Sequence, residues 1–353
     1  MPRPAEDTRL PTMSDVAQLA GVSHQTVSRV LSGHPNVREV TRAGVQKAID
    51  ELGYRRNSTA RALATRRTRT LGVVAADTTL FGPASTVAGL AESARAEGYM
   101  VSTVSGRALS RHSLTEALEH LGEWGVEGAV VITPQREAAA ALFELRHPFP
   151  VVTVEGGHDL EIPSVSVDQH LGARLVTDHL LGCGHRTVWH VAGPQDWLEA
   201  AARMAGWRAA LHEAGADVPP PLIGDWSPLS GYRAGQELAG RVGRRVAGGS
   251  DLTAVFAAND QMALGIMRAF REAGVRIPVD VAVAAFDDIP EAEFFAPPLT
   301  TVRQDFAAVG RASIRLLLDR IEGGDRDRDR TAVPHHVIEP QLIVRGSTTT
   351  PVV

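Results

Sequence analysis

From residue 70 onward, short apolar runs alternate with amphipathic helical stretches, and that beat restricts the fold more than any other feature of the chain. "RTLGVVAAD", "MVSTVSG", "VEGAVVITP", "PVVTVEG", "SVSVD", "TVWHVAG", "PPLIGDW", "TAVFAAND", "VAVAAFDD" and "LTTVRQD" read as strands. Helices such as "TVAGLAESARAEGY", "SLTEALEHLGEWG", "LGARLVTDHLLGCG" and "QMALGIMRAFREAG" lie between most of them. Strands that are apolar on both faces must be covered on both faces, so the class is α/β with parallel, doubly wound sheets. A chain of 353 residues is too long for one compact core, and this many strands suits two such domains.

In sheets of this kind ligands lie beyond the carboxyl ends of the strands. The polar residues that follow each run are Asp77, Arg136, Asp168, Trp226, Asn259, Asp260, Asp287, Asp288 and Gln304. Amide, carboxylate and guanidinium groups together offer donors and acceptors for vicinal hydroxyls, and an indole face covers the apolar side of a sugar ring. Trp226, in "GDWSPLSG", follows a strand and precedes a helix, which places it at a cleft mouth. Trp124, Trp189, Trp197 and Trp207 read instead as core or surface residues. The adjacent Asp287 and Asp288 point to opposite sides of a strand end, so one of them faces a ligand.

Catalytic signatures are missing from the same positions. The sequence contains no GxxxxGK[ST] loop, no GxGxxG after the first strand, no GxSxG elbow and no HExxH. The 13 histidines are scattered, and "PHHV" and "HRTVWH" lack a carboxylate or cysteine at metal-ligand spacing, so they read as surface or loop residues. Cys183 is the single cysteine, which excludes an internal disulfide and points to a small buried side chain. The expectation is a protein that is not an enzyme and has no metal or cofactor. With no apolar run of bilayer length and no signal-peptide core in "MPRPAEDTRLPTMSD", it has no membrane partner and is expected in the cytoplasm.

Charge is divided unevenly. Residues 1–69 hold 12 Lys and Arg against 6 Asp and Glu, whereas the remainder holds 24 against 35. A basic end fits a polyanion or a solvated arm equally well on charge alone. The pattern within it is more specific. "MSDVAQLA" puts Val16, Leu19 and Ala20 on one helical face, with Ser14 as cap and Gly21 as terminator. Ser23 caps a second helix that buries Val27, Val30 and Leu31 and leaves His24, Gln25, Thr26, Ser28 and Arg29 pointing outward. This is a helix-turn-helix whose recognition helix suits the major groove, where Gln pairs with adenine and Arg with guanine. "TRAGVQKAIDELGY" supplies Val45, Ala48, Ile49 and Leu52 to close a three-helix core. Next, "RRNSTARALATRRTRT" is basic and too small for a core of its own. Asn57 caps a two-turn helix there, below the roughly 12 to 15 residues at which isolated helices persist. Leu63 in that helix is an apolar wedge for a minor groove, among arginines that meet phosphates.

From "TMSDVAQLAGVSHQTVSRVLSG" to "QLIVRGSTT" the chain resembles the lactose-repressor (LacI) family of bacterial transcription regulators, with further matches in "AGPQDWLEAAARMAGW", "ANDQMALGIMRA" and "FDDIPEAEFFAPPLTTVRQDF". The resemblance implies a helix-turn-helix domain over 12–56, a hinge helix and linker over 57–69, and a periplasmic-binding-protein-like core over 70–346, with 347–353 as a tail. It divides the core into one subdomain of about 70–167 and 304–331 and another of about 168–300 and 334–346. The chain then crosses near Val167 to Gln169, Thr300 to Gln304 and Thr331 to Pro334. Carried over by position, His24, Gln25 and Arg29 contact operator bases, and Leu63 wedges into the operator centre. Arg203 and Asn259 bond sugar hydroxyls, Asp287 accepts from them, and Gln304 bridges the subdomains. Trp226 and Phe306 form apolar walls, and Leu80 and Pro83 line the first subdomain's side.

Three departures follow. Arg136 stands where the family's namesake has an aspartate, and it either meets an anionic sugar, pairs with Asp77 or turns to solvent. His24 replaces a tyrosine, and the tail lacks the leucine-rich segment that makes tetramers. The implied function is a homodimeric repressor of carbohydrate-utilisation genes on a palindromic double-stranded operator, released by a small sugar effector of galactoside type. The alternatives are a co-repressor mode, an anionic-sugar effector, and a solute-binding protein.

Overall fold

The structure, a computed structural model, describes residues 9–55, 67–106, 109–145, 147–155, 162–242, 252–323 and 333–348. It separates into two units, Met1–Thr68 and Arg69–Val353.

The head contains α1 (Met13–Ala20), α2 (His24–Leu31) and α3 (Glu39–Leu52). Thr12, not Ser14, caps α1: its backbone N–H donates to the Asp15 carboxylate at 2.7 Å while its hydroxyl accepts from the Asp15 N–H. Met13, Val16, Ala17 and Ala20 face inward, at the i, i+3, i+4, i+7 spacing of one helical face. Leu19, expected inside, is 47% exposed. Gly21 closes α1 at φ 65°, and Ser23 caps α2, its hydroxyl accepting from the Thr26 N–H at 3.2 Å. Val16, Val27 and Val45, one from each helix, form the centre of the head core.

The second unit is built around two parallel sheets. The first subdomain runs β1 (Thr70–Ala76), α4 (Phe81–Ala96), β2 (Met100–Gly106), α5 (Arg111–Glu123), β3 (Gly128–Ile132), α6 (Arg136–Glu144), β4 (Val151–Val154) and β5 (Ser164–Val167). The second runs α7 (Gln169–Gly182), β6 (Trp189–Ala192), α8 (Leu198–Glu213), β7 (Leu222–Ile223), α9 (Pro228–Ala239), β8 (Ala254–Ala257), α10 (Asp260–Glu272) and β9 (Ala282–Ala284). After β10 (Thr301–Arg303) the chain returns to the first subdomain as α11 (Phe306–Gly323) and β11 (His335–Ile338), and it ends with β12 (Gln341–Ile343). The strand orders are β11-β5-β4-β3-β1-β2 and β7-β6-β8-β9, while β10 and β12 pair antiparallel.

Helices cover both faces of each sheet. Side chains of α4 and α11 pack on one side of the first sheet and those of α5 and α6 on the other. Helices α9 and α10 oppose α7 and α8 across the second. Helix α11 reaches α4 at Gly89, where a β-carbon would stand 2.5 Å from the Phe306 carbonyl oxygen, so only glycine fits.

Three further details differ from the sequence reading. Strand β11 pairs with β5, Val337 opposite Ser166, so the third crossing lies at Glu339–Pro340 and not at 331–334. "HHVIEPQLIV" reads as one run, but Pro340 has no N–H to continue a ladder, and the chain changes sheet there. Cys183 is exposed because it falls at the C-cap of α7. His190 is fully buried mid-strand in β6, where its Nδ1–H donates to the Phe256 carbonyl at 2.9 Å and burial pushes its pKa down to about 4.

Candidate functional site

Two surfaces collect the polar residues singled out in the sequence. On the head, His24, Gln25, Ser28 and Arg29 are exposed on α2, opposite the buried Val27 and Val30. Thr26 is half-buried and belongs to the cap, its hydroxyl 2.9 Å from that of Ser23. Asn57 and Leu63 lie outside the described residues.

In the second unit a cleft with about 550 Å³ of empty space, partly open to solvent, lies between the subdomains. From the first come Leu80, Phe81 and Pro83 around the start of α4, Phe306 at the start of α11, and Glu155 after β4. The second gives Trp197, Glu199 and Arg203 from α8 and its cap, Trp226 after β7, Asn259 at the cap of α10, and Asp287 after β9. Gln169 and Gln304 line it from two of the crossings. Aromatic rings meet edge to face on both sides, Trp197 with Trp226 at 5.6 Å and Phe81 with Phe306 at 5.9 Å.

The floor of the cleft is one hydrogen-bonded chain. Arg203 donates through Nε to the Gln169 side-chain oxygen at 2.9 Å, to the Ala258 carbonyl, and to the Asp287 carboxylate at 3.5 Å. The Gln304 amide donates to that same Asp287 oxygen at 2.8 Å and accepts from Gln169 at 2.9 Å. Asn259 caps α10 by accepting from the Met262 N–H at 2.9 Å, and its amide donates to the Trp226 carbonyl. Glu155 accepts the Val167 N–H at 3.0 Å, at the first crossing. Glu155, Trp226 and Asp287 hold φ at 63°, 71° and 114°. A residue with a β-carbon pays roughly 1–3 kcal/mol for such a backbone, which persists only where the surroundings impose it.

Charge in the cleft is unbalanced. Burial pushes the Asp287 carboxyl up to about 6, although the Arg203 charge and the Gln304 amide pull it back. Burial raises Glu155 as well, against the Val167 N–H, and raises Glu199 further with help from the Glu155 charge. Glu199 Oε2 is shut off from solvent without a hydrogen-bond partner, as is Trp226 Nε1.

The remaining post-strand residues do other work. Asp168 caps α7, and Asp77 closes a turn on Thr79. Asp260 is buried and accepts from the Thr301 hydroxyl and the Ile289 N–H, while Asp288 turns to Arg303 and Arg345 at 2.7 Å each. Arg136 is exposed at the first turn of α6, outside the cleft lining. Its backbone is engaged: the Arg136 N–H donates to the Asp196 carbonyl at 3.1 Å and the Leu198 N–H donates to the Pro134 carbonyl at 2.7 Å. With Gln135 opposite Trp197, these bonds strap the loop after β3 to the loop after β6, across the two subdomains. The sequence reading missed Glu155, Gln169, Trp197 and Glu199, although Glu155 and Trp197 also follow strands. Among the described residues no three His, Cys, Asp or Glu gather as metal ligands, and no helix is long and apolar enough to cross a membrane.

A helix-turn-helix head joined to a two-sheet core with a cleft between its subdomains defines a class of ligand-responsive DNA-binding proteins. Residues 12–57 match the model for bacterial regulatory proteins of the lacI family, and residues 177–348 match that for a periplasmic binding protein-like domain. The regulator CelR of Thermobifida fusca is 36% identical over 97% of this chain and 99% of its own length. A crystal structure of the lac repressor dimer bound to operator and the anti-inducer ONPF superimposes with a TM-score of 0.82, at 31% identity over 96% of this chain and 99% of that one. A CelR–cellobiose complex gives 0.68, at 34% identity over 96% and 99%. The chain belongs to the lacI family of bacterial regulatory proteins and is a DNA-binding transcriptional repressor.

Proposed function

We propose that the protein represses carbohydrate-utilisation genes, holding a palindromic operator as a homodimer and releasing it when a sugar occupies the cleft. The observation that carries this reading is the Gln169–Arg203–Asp287–Gln304 chain, which places amide, guanidinium and carboxylate groups between two aromatic pairs in a cleft lined by both subdomains. Arg203, Asn259, Asp287 and Gln304 bond the hydroxyls, Trp226 and Phe306 cover apolar ring faces, and Leu80 and Pro83 close the first subdomain's side. A ligand held by residues of both subdomains favours one arrangement of them, and that preference is the coupling free energy passed to the DNA. Coupling of ~1 to 3 kcal/mol weakens operator binding roughly 5- to 150-fold.

On the DNA, His24, Gln25, Ser28 and Arg29 read the half-site while Thr26 holds the start of their helix, Asn57 starts the hinge helix, and Leu63 wedges the central step. The sugar is a neutral glycoside of galactoside type, and the likeness to a regulator solved with cellobiose favours a β-glucoside as the second choice. Leu63→Ala tests the hinge: it is expected to retain sugar binding and lose most specific operator affinity, whereas unchanged affinity at matched salt removes the wedge from the account.

A further inference from the structure

Most polar atoms facing the cleft are already bonded within the protein, and Glu199 is the exception among its carboxylates. It sits in the first turn of α8, two residues after Trp197, and one of its oxygens is sealed from water without a donor. A buried acceptor in that state is a place where a ligand's hydroxyl recovers a hydrogen bond that the empty protein does not make.

The surrounding charges decide what kind of ligand supplies it. Glu155, Glu199 and Asp287 face the cleft against the single guanidinium of Arg203. That guanidinium is spent on Gln169, the Ala258 carbonyl and Asp287, and Arg136 lies outside the lining. An incoming carboxylate or phosphate meets three side-chain carboxyls and, among the described residues, no free cation, so desolvating it there is uncompensated. Glu199 also borders a second cavity, with about 970 Å³ of empty space partly open to solvent, which shares Glu155 and Gln169 with the cleft. A ligand passing Glu199 therefore has room for a second ring.

We propose that Glu199 is a specificity-determining residue, the acceptor that receives a hydroxyl of a neutral disaccharide or longer glycoside and makes the cleft reject sugar acids and sugar phosphates. This rests on the cleft being the effector site.

The test is calorimetric titration of the full-length protein with cellobiose, lactose, lactobionic acid and glucose 6-phosphate. Glu199→Gln and Glu199→Asp are run alongside, with melting curves of each variant to verify folding. A neutral disaccharide is expected to bind the wild type while both anions do not. Glu199→Gln should weaken that disaccharide about 2- to 12-fold, the loss of one net hydrogen bond, and Glu199→Asp should recover part of it. Equal disaccharide affinity in wild type and in folded Glu199→Gln overturns the role of Glu199 alone, and so does tighter binding of either anion by the wild type. A wild type that binds none of the four sugars removes the effector reading and this proposal with it.

Discussion

The exposed face of α2 and the floor of the cleft use similar side chains, Gln with Arg in one and Gln, Asn, Asp with Arg in the other, yet they are built in opposite ways. On α2 the helix itself fixes the geometry, and the functional groups stay in water until a partner arrives. In the cleft the groups are taken out of water at folding, so most of them find partners inside the protein, and they come from elements far apart in sequence. The first surface is free to vary without cost to the fold. The second is part of the fold.

That contrast sets the scale of what substitutions do. Arg203→Met removes the cation from among three carboxylates, and breaking a buried pair from one side costs ~3–5 kcal/mol. Denaturant unfolding should register that loss, together with disappearance of the sugar response; a fully stable variant would mean that the cleft network is no more structural than the head surface. Arg29→Ala should weaken specific operator binding by ~1–3 kcal/mol with the melting curve unmoved. A lowered melting point there would erase the distinction from the other side.

Smaller effects sharpen it. Leu198 is the first residue of α8, a position that accepts proline, and Trp197 before it is extended at φ −86° and ψ 129° as such a residue must be. Leu198→Pro thus deletes the N–H that straps the subdomains while leaving the helix intact. One net hydrogen bond of ~0.5–1.5 kcal/mol corresponds to sugar dissociation about 2- to 12-fold faster, readable by stopped-flow tryptophan fluorescence. Unaltered dissociation would show that the strap does not hold the cleft shut.

Protonation gives the weakest signal and a definite sign. Asp287 is raised from 3.8 to about 6, so folding takes up protons, and the stability associated with this group is lost as pH rises through that interval. Glu155 and Glu199 are raised too and extend the loss to higher pH. Buried His190, held at about 4, opposes this trend only below the ordinary imidazole range, so melting midpoints should decline from about neutral to mildly alkaline pH, and less steeply in Glu199→Gln; an identical slope in the variant would locate the titration elsewhere.

The two surfaces also differed in how far the sequence exposed them. The outward set on α2 was visible because a single helical period sorts Val27 and Val30 from Gln25 and Arg29. The alternation of strands and helices disclosed both sheets, and residues after strands led to Trp226, Asn259, Asp287 and Gln304. What stayed hidden depends on three-dimensional neighbours. Leu19 points outward and Ala17 inward because packing against α2 and α3 selects the buried stripe of α1, which the single-helix pattern does not fix. Glu199 lies inside a helix, where no end-of-strand rule reaches it. The role of Arg136 was obscured because its engaged group is the backbone N–H, which the side chain does not advertise. Likewise β11 shows its sheet only through the partner it pairs with.

The most direct test of the account is the affinity of the full-length protein for its selected operator, by fluorescence anisotropy at one fixed salt, with and without a saturating neutral disaccharide that calorimetry shows to bind. The account predicts weakening of roughly 5- to 150-fold with sugar present, and none of it in Arg203→Met. Operator affinity that is unchanged or tightened by a sugar bound in the cleft would contradict it.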